Sequence, residues 1–229
     1  MNAKAPLIDQ ASAAAAGSAD GLAAWIAPRR TAVLVIDMQV DFASPNGALG
    51  GFVDFSTVGP ALAAAERLTE AARSAGAPVV FVGLKTEAGS DSPAWRERMR
   101  RRGGDPDDES GLCRAGTPGV AFFGPKPVAG EAVVFKTRYS GFHDTDLDAV
   151  LKRLGVDTLV VCGLTTECCV DSTVRDAFHR DYHVFIAADA CAAYEPDFHE
   201  PPLKSLEANC AFLTSVDTVA AAWAEAARG

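Results

Sequence analysis

Five short apolar runs constrain the fold of this chain more than any other feature: TAVLVID (31–37), APVVFVGL (77–84), AVVFK (132–136), DTLVVCG (157–163) and HVFIAAD (183–189). Each is rich in β-branched or aromatic residues and is bounded by glycine, proline or charge. None alternates apolar with polar, as a strand with one wet face would. Runs of this kind are strands covered on both faces, which implies a parallel sheet. Helical patterns fill the intervals. VGPALAAAERLTEAARSAG (58–76) has a start signal at Pro60 and a stop at Gly76, DTDLDAVLKRLG (144–155) opens acidic and ends at Gly155, and TECCVDSTVRDAFHRD (166–181) follows the fourth strand. Strand–helix alternation gives a doubly wound, mainly parallel α/β sheet of about six strands, Rossmann-like in layout, with AFLTSV (211–216) as a weak sixth strand.

A length of 229 residues suits one compact domain, read here as residues 30–229 behind an Ala-rich N-terminal arm, 1–29. The arm is broken by Asp9 and Gln10 and has no basic cluster ahead of a long apolar core, so it does not read as a signal peptide. The formal net charge of −9 opposes a nucleic-acid partner or an anionic membrane surface. No run approaches the roughly 18 apolar residues of a membrane span. Cysteines 113, 162, 168, 169, 191 and 210 show no disulfide-scaffold rhythm, so free thiols in a reducing cytoplasm are expected. No glycine fingerprint for a dinucleotide follows the first strand. Histidines 143, 179, 183 and 199 form no close metal-ligand spacing with Asp or Cys, and neither a metal nor another cofactor is expected. Residues 85–119 hold no strand signal; a connection this long reads as a lid, an oligomer contact or a solvated loop.

In a sheet of this kind, ligands bind outside the carboxyl ends of the strands. Asp37 ends the first strand, Lys136 ends the third, and Cys169 lies six residues past Gly163, where the fourth strand turns into its helix. Taken singly, these are a turn carboxylate, a solvated lysine and a packed thiol. Together, on one edge, they are chemically complementary. With Thr166 as N-cap, Cys169 falls at the third helical position, where backbone N–H groups favour a thiolate, and Cys168 points about 100° away. Asp37 suits a general base and then acid, Lys136 suits its partner, and amides at the strand–helix turn suit an oxyanion hole.

These residues lie in segments that resemble the isochorismatase-like cysteine hydrolases over roughly residues 31–192. AVLVIDMQVDF resembles the family's first strand with its catalytic Asp, placed at Asp37. CRAGTPG (113–119) resembles the turn before the third strand, and VVFKTRYSGFHDTDLDAVLKRLGV the segment carrying the catalytic Lys, placed at Lys136. VVCGLTTECCVDSTVRDAF resembles the nucleophile turn, G-x-x-T-x-x-C-V; aligning Gly163, Thr166 and Val170 puts the nucleophile at Cys169. The resemblance implies a cis peptide between Leu164 and Thr165, an oxyanion hole from the N–H groups of Thr165 and Cys169, and a homodimer or homotetramer.

Members that hydrolyse a vinyl ether usually lack the cysteine, so Cys169 implies C–N cleavage of a small amide, carbamoyl or ureido compound through an acyl-enzyme. The Asp-x-His of metal-dependent nicotinamidases is replaced by VGLKTEAGS (82–90), and KTRYSGF (136–142) looks closest to the ureidoacrylate type. The expected substrate contacts are Phe42, Arg138, Tyr139 and Phe142, with Lys85 entering from the second strand end. Against these stand plain readings of Phe42 and Phe142 as core and of Arg138 as a surface or interface ion pair. A nicotinamidase-type amidase and a non-catalytic small-molecule-binding member remain the alternatives.

Overall fold

All five apolar runs become strands of one sheet in the computed structural model, which describes residues 19–87, 89–109 and 111–226. The strands are β1 (Thr31–Ile36), β2 (Val79–Leu84), β3 (Ala132–Lys136), β4 (Thr158–Leu164), β5 (His183–Ala192) and β6 (Phe212–Thr214). Their order is β3-β2-β1-β4-β5-β6 and every pairing is parallel. The weak sixth strand is therefore present, as a three-residue edge strand paired to β5 through Phe185 and Phe212. Most of the N-terminal arm lies outside the described residues.

The nine α-helices of the described residues are α1 (Ala19–Trp25), α2 (Val40–Ala43), α3 (Val58–Ala75), α4 (Pro93–Arg101), α5 (Pro106–Glu109), α6 (Leu147–Leu154), α7 (Asp171–Phe178), α8 (Glu200–Asn209) and α9 (Val216–Ala226). Strand alternation distributes the core to both sides of the sheet. Val33, Val35 and Phe81 pack with α1, α3 and α9, while Leu34, Ile36 and Val80 pack with α6, α7 and α8. The Trp223 indole N–H donates to the Ile26 carbonyl at 2.7 Å, tying α9 to the segment after α1. Gly76 and Gly155 end α3 and α6 in the left-handed region, at φ 75° and 71°, where a side chain is disfavoured.

Two expectations are revised. Residues 85–119 contain α4, whose start is legible once sought: Ser92 caps it by accepting from Trp95 N at 3.2 Å, and Pro93 sits in its first turn. The segment after β4 is also not one α-helix capped by Thr166. Residues Thr166–Val170 form a π-helical turn before α7, closed by Val170 N donating to the Thr165 carbonyl at 3.2 Å. Thr166 Oγ1 pairs instead with His199 Nδ1 at 2.8 Å.

The CRAGTPG turn is held from below by α2. Buried Asp41 accepts from Cys113 N at 2.7 Å through one oxygen and from Ala48 N at 3.0 Å through the other. A Cβ on Gly119 would lie 2.1 Å from Asp41 Oδ2. Gly119→Ala is accordingly expected to lower unfolding stability by about 1–3 kcal/mol, the usual cost of overpacking, as read by chemical denaturation.

Candidate active site

The chain reverses its direction of travel across the sheet between β1 and β4, and the three strand-end groups converge there. Asp37 follows β1 with a left-handed backbone, φ 50°, and its N–H donates to Val82 O at 2.8 Å. A non-glycine residue in this region is uncommon and is retained where its surroundings over-determine it. Lys136, the last residue of β3, is fully buried, and its Nζ is the hub of the site. It donates to Asp37 Oδ2 at 2.6 Å, to the Arg138 carbonyl at 3.0 Å and to Cys169 Sγ at 3.4 Å. Asp37 Oδ1 is buried with no hydrogen-bond partner among the described residues. That orphan acceptor is available to take a proton, since buried polar atoms are otherwise almost always paired.

The charges decide which group carries the proton at rest. Burial alone draws the Lys136 ammonium down, but the negative charge of Asp37 and the hydrogen bonds to Asp37 and Cys169 outweigh it, so the group is held above its ordinary value and stays protonated. The Cys169 thiol is pushed well above its usual range, first by its hydrogen bond with Cys168, then by burial and by the charge of Asp37; Lys136 opposes this without prevailing. Charge balance acts in the same direction. The Asp37–Lys136 ion pair is already balanced, so a resting thiolate would leave a net negative charge in a buried site. Cys169 therefore rests as a thiol beside a carboxylate, in place of the thiolate expected from a helix N-terminus. Iodoacetamide labelling of Cys169 in the free protein should be slow at neutral pH and should rise only above the ordinary thiol range.

The peptide between Leu164 and Thr165 is cis. The Thr165 carbonyl accepts from the amides on either side of Cys169, Cys168 N at 3.1 Å and Val170 N at 3.2 Å. Gly163, at φ 147°, lets β4 approach β1 closely: a Cβ there would sit 2.3 Å from the Ile36 carbonyl oxygen. Asp37, Thr165, Cys168 and Cys169 open into one cavity of about 810 Å³.

Residues 31–218 match the family described as the isochorismatase domain. The chain belongs to the isochorismatase family. Over 195 residues it is 37% identical to the ureidoacrylate amidohydrolase RutB of Methylobacterium radiotolerans, covering 79% of this chain and 74% of that protein. It is likewise 37% identical over 205 residues to the ureidoacrylate amidohydrolase RutB of Pseudomonas savastanoi pv. phaseolicola, covering 83% and 82%. The crystal structure of a cysteine hydrolase from Pseudomonas syringae pv. phaseolicola superposes with a TM-score of 0.75 at 32% identity, covering 88% of this chain and 96% of that one.

Within this isochorismatase-family fold, Phe42, Arg138 and Tyr139 line the cavity. Arg138 lies over the Trp95 ring, 5.5 Å from its centroid, and donates to the Thr137 and Ser90 carbonyls at 2.8 and 3.1 Å. Phe142 does not reach the cavity. It is 5% exposed in the core on the α6–α7 side, 6.0 Å from the Tyr182 ring and beneath Arg180. The turn after β3 is drawn toward α7 by Ser140 donating to Asp176 and by Gly141 N donating to Thr173 Oγ1, and this carries Phe142 inward. Lys85 also lies off the cavity. Leu84 shares a register position and a face with Lys136, so the next residue faces the other way, with Lys85 Nζ 4.9 Å from the Phe135 ring centroid.

Some wall residues have no strong signal in the sequence. Trp95, Arg98 and Met99 on α4, with Leu112 and Asp91 beside it, make the segment 85–119 one side of the cavity. Phe52 and Leu49 come from the loop after α2, and Tyr194 follows β5, its hydroxyl donating to Phe42 O at 2.8 Å. Cys168, expected to face elsewhere, opens into the same cavity as Cys169, because the wider π turn changes the angle between successive residues. Gln39 is buried and clamps this floor: its amide accepts from Leu84 N at 2.7 Å and donates to the Leu84 and Val120 carbonyls, each at 2.8 Å. Among the described residues no three His, Cys, Asp or Glu side chains gather as a metal-holding cluster, and no helix is long and apolar enough to cross a membrane.

Proposed function

We propose that this chain is a cysteine amidohydrolase that cleaves the C–N bond of an amide, carbamoyl or ureido compound through a covalent Cys169 intermediate. Membership of the isochorismatase family and likeness to ureidoacrylate amidohydrolases make it a hydrolase of C–N bonds other than peptide bonds. The observation that carries the finer reading is the Lys136 ammonium, 2.6 Å from Asp37 and 3.4 Å from Cys169 on the cavity floor.

The steps follow from the resting charges. Asp37 takes the thiol proton as Sγ bonds to the substrate carbonyl carbon, so the site never holds a free thiolate beside a second anion. The carbonyl oxygen becomes an oxyanion facing the N–H groups of Thr165 and Cys169, a contact whose loss typically costs about 100- to 1000-fold. Asp37 then passes its proton to the nitrogen, the C–N bond breaks, and ammonia or an amine leaves. Water attacks the acyl-cysteine, giving a proton to Asp37 and from there to the departing sulfur. Throughout, Lys136 remains protonated; it orients Asp37 and offsets the negative charge that passes between the carboxylate and the oxyanion.

The test is trapping. Acid-quenched turnover mixtures from ureidoacrylate, N-carbamoylsarcosine, biuret, maleamate and nicotinamide are digested and weighed. The peptide carrying Cys169 should gain the mass of the acyl or carbamoyl group from whichever compound releases ammonia. Ammonia release that continues in Cys169→Ala, with no adduct in the wild type, would overturn the assignment.

A further inference from the structure

The cavity exceeds what a small ureide requires. A compound of that size fills the space of roughly five waters, at about 30 Å³ each. At about 810 Å³ the cavity stands in the upper part of the ~300–1,000 Å³ range that takes drug-sized ligands. Its reacting corner is small, and most of the remaining wall is carbon: Phe42, Leu49, Phe52, Trp95, Leu112 and Tyr139. Phe52 contributes to this wall while 84% exposed, so a phenyl ring borders the apolar side of the cavity with most of its surface uncovered.

The charged side chains of the wall are largely engaged with protein. Asp91 pairs with Arg96 and Arg114 at 3.9 and 3.8 Å. Arg138 spends two donors on backbone carbonyls and lies over the Trp95 ring. Asp37 is held by the buried Lys136. Arg98, exposed on α4, is the remaining charged wall residue. A compact, carboxylate-bearing ureide would leave most of the apolar wall wet, whereas an aromatic or long aliphatic group would cover it.

Building on the amidohydrolase reading, we infer that the substrate carries a bulky, largely apolar, aromatic-bearing group on its carboxamide or carbamoyl function, seated between α4 and the loop that bears Phe52. The reacting group lies at Cys169, and the apolar body extends along Trp95, Leu112 and Phe52.

Two matched pairs test this: acetamide with 4-phenylbutanamide, and methylurea with 2-phenylethylurea. Within each pair the reacting group is constant. The phenyl-bearing member should have a kcat/KM at least about 100-fold higher, since one methylene seated in an apolar pocket is already worth about 10- to 200-fold. Phe52→Ala, at a site too exposed to threaten folding, should lower that ratio by about tenfold. Equal rates within each pair, or preference for the methyl member, would overturn the inference and leave the amidohydrolase reading intact. If no compound turns over, calorimetry separates the two claims. Binding of the phenyl compounds with a negative heat-capacity change would retain the apolar ligand class and remove these amides and ureas as substrates. Absence of binding would overturn the inference.

Discussion

Cys169→Ala is expected to lower ammonia release by about 10,000-fold or more while leaving the fold intact, because removing the nucleophile of a covalent mechanism forfeits the whole acyl-enzyme route. The side chain is small and 8% exposed, and it lies at the cavity surface, so its loss enlarges a space already open to ligand. Cys168→Ala supplies the contrast. Cys168 touches the Cys169 thiol and raises its proton affinity, but it has no bond to Asp37 or Lys136. Without it the Cys169 thiol should titrate lower, moving the onset of iodoacetamide labelling toward neutral pH, and turnover should stay within about tenfold of the wild type. Comparable loss from the two substitutions would overturn the division between nucleophile and neighbour.

The buried ion pair carries the largest expected effect on stability. Lys136 and Asp37 are 0% and 1% exposed at the side chain, so neither charge can turn to water if its partner is removed. Lys136→Ala should cost about 3–5 kcal/mol, most of it the penalty of leaving the Asp37 carboxylate without a counter-charge. Asp37→Asn should keep its shape, weaken the pair, and reduce kcat by about 100- to 10,000-fold through loss of the proton acceptor. Replacing both, as Asp37→Asn with Lys136→Met, should recover most of the lost stability, because an uncharged pair of similar volume has no charge to desolvate and Asn tolerates the left-handed backbone. The same double variant should show no turnover. A double variant as unstable as Lys136→Ala alone would mean that packing, not the uncompensated charge, sets the cost. Urea titration of the three variants beside the wild type decides between these, with ammonia release measured on the same preparations.

Much of this architecture is local in origin. A strand buried on both faces needs only a short run of β-branched and aromatic residues, and such runs are visible at 31–37 and 157–163 without knowledge of their neighbours. Parallel pairing then sends the ends of β1, β3 and β4 to one edge, which is why Asp37, Lys136 and the Cys169 turn were legible as a set. The direction of Phe142 was not, because it depends on hydrogen bonds between Ser140, Gly141 and two residues of α7 that are more than thirty positions away. Lys85 differs from Leu84 by one residue, and one residue reverses the face. The π turn that brings Cys168 to the cavity is set by which amide reaches the Thr165 carbonyl, and the wall built by Trp95 and Leu112 by the folding of 85–119 back over the sheet edge.

The protonation of Cys169 shows the same division most sharply. The sequence by itself determined which side chains meet: a thiol, a carboxylate and an ammonium at the ends of three parallel strands. Only the tertiary structure decided that the ammonium lies closer to the carboxylate than to the sulfur, 2.6 Å against 3.4 Å, so that Lys136 neutralises Asp37 first. The hydrogen bond with Cys168 and burial then keep the proton on the sulfur, and both depend on distances and packing that no residue spacing encodes.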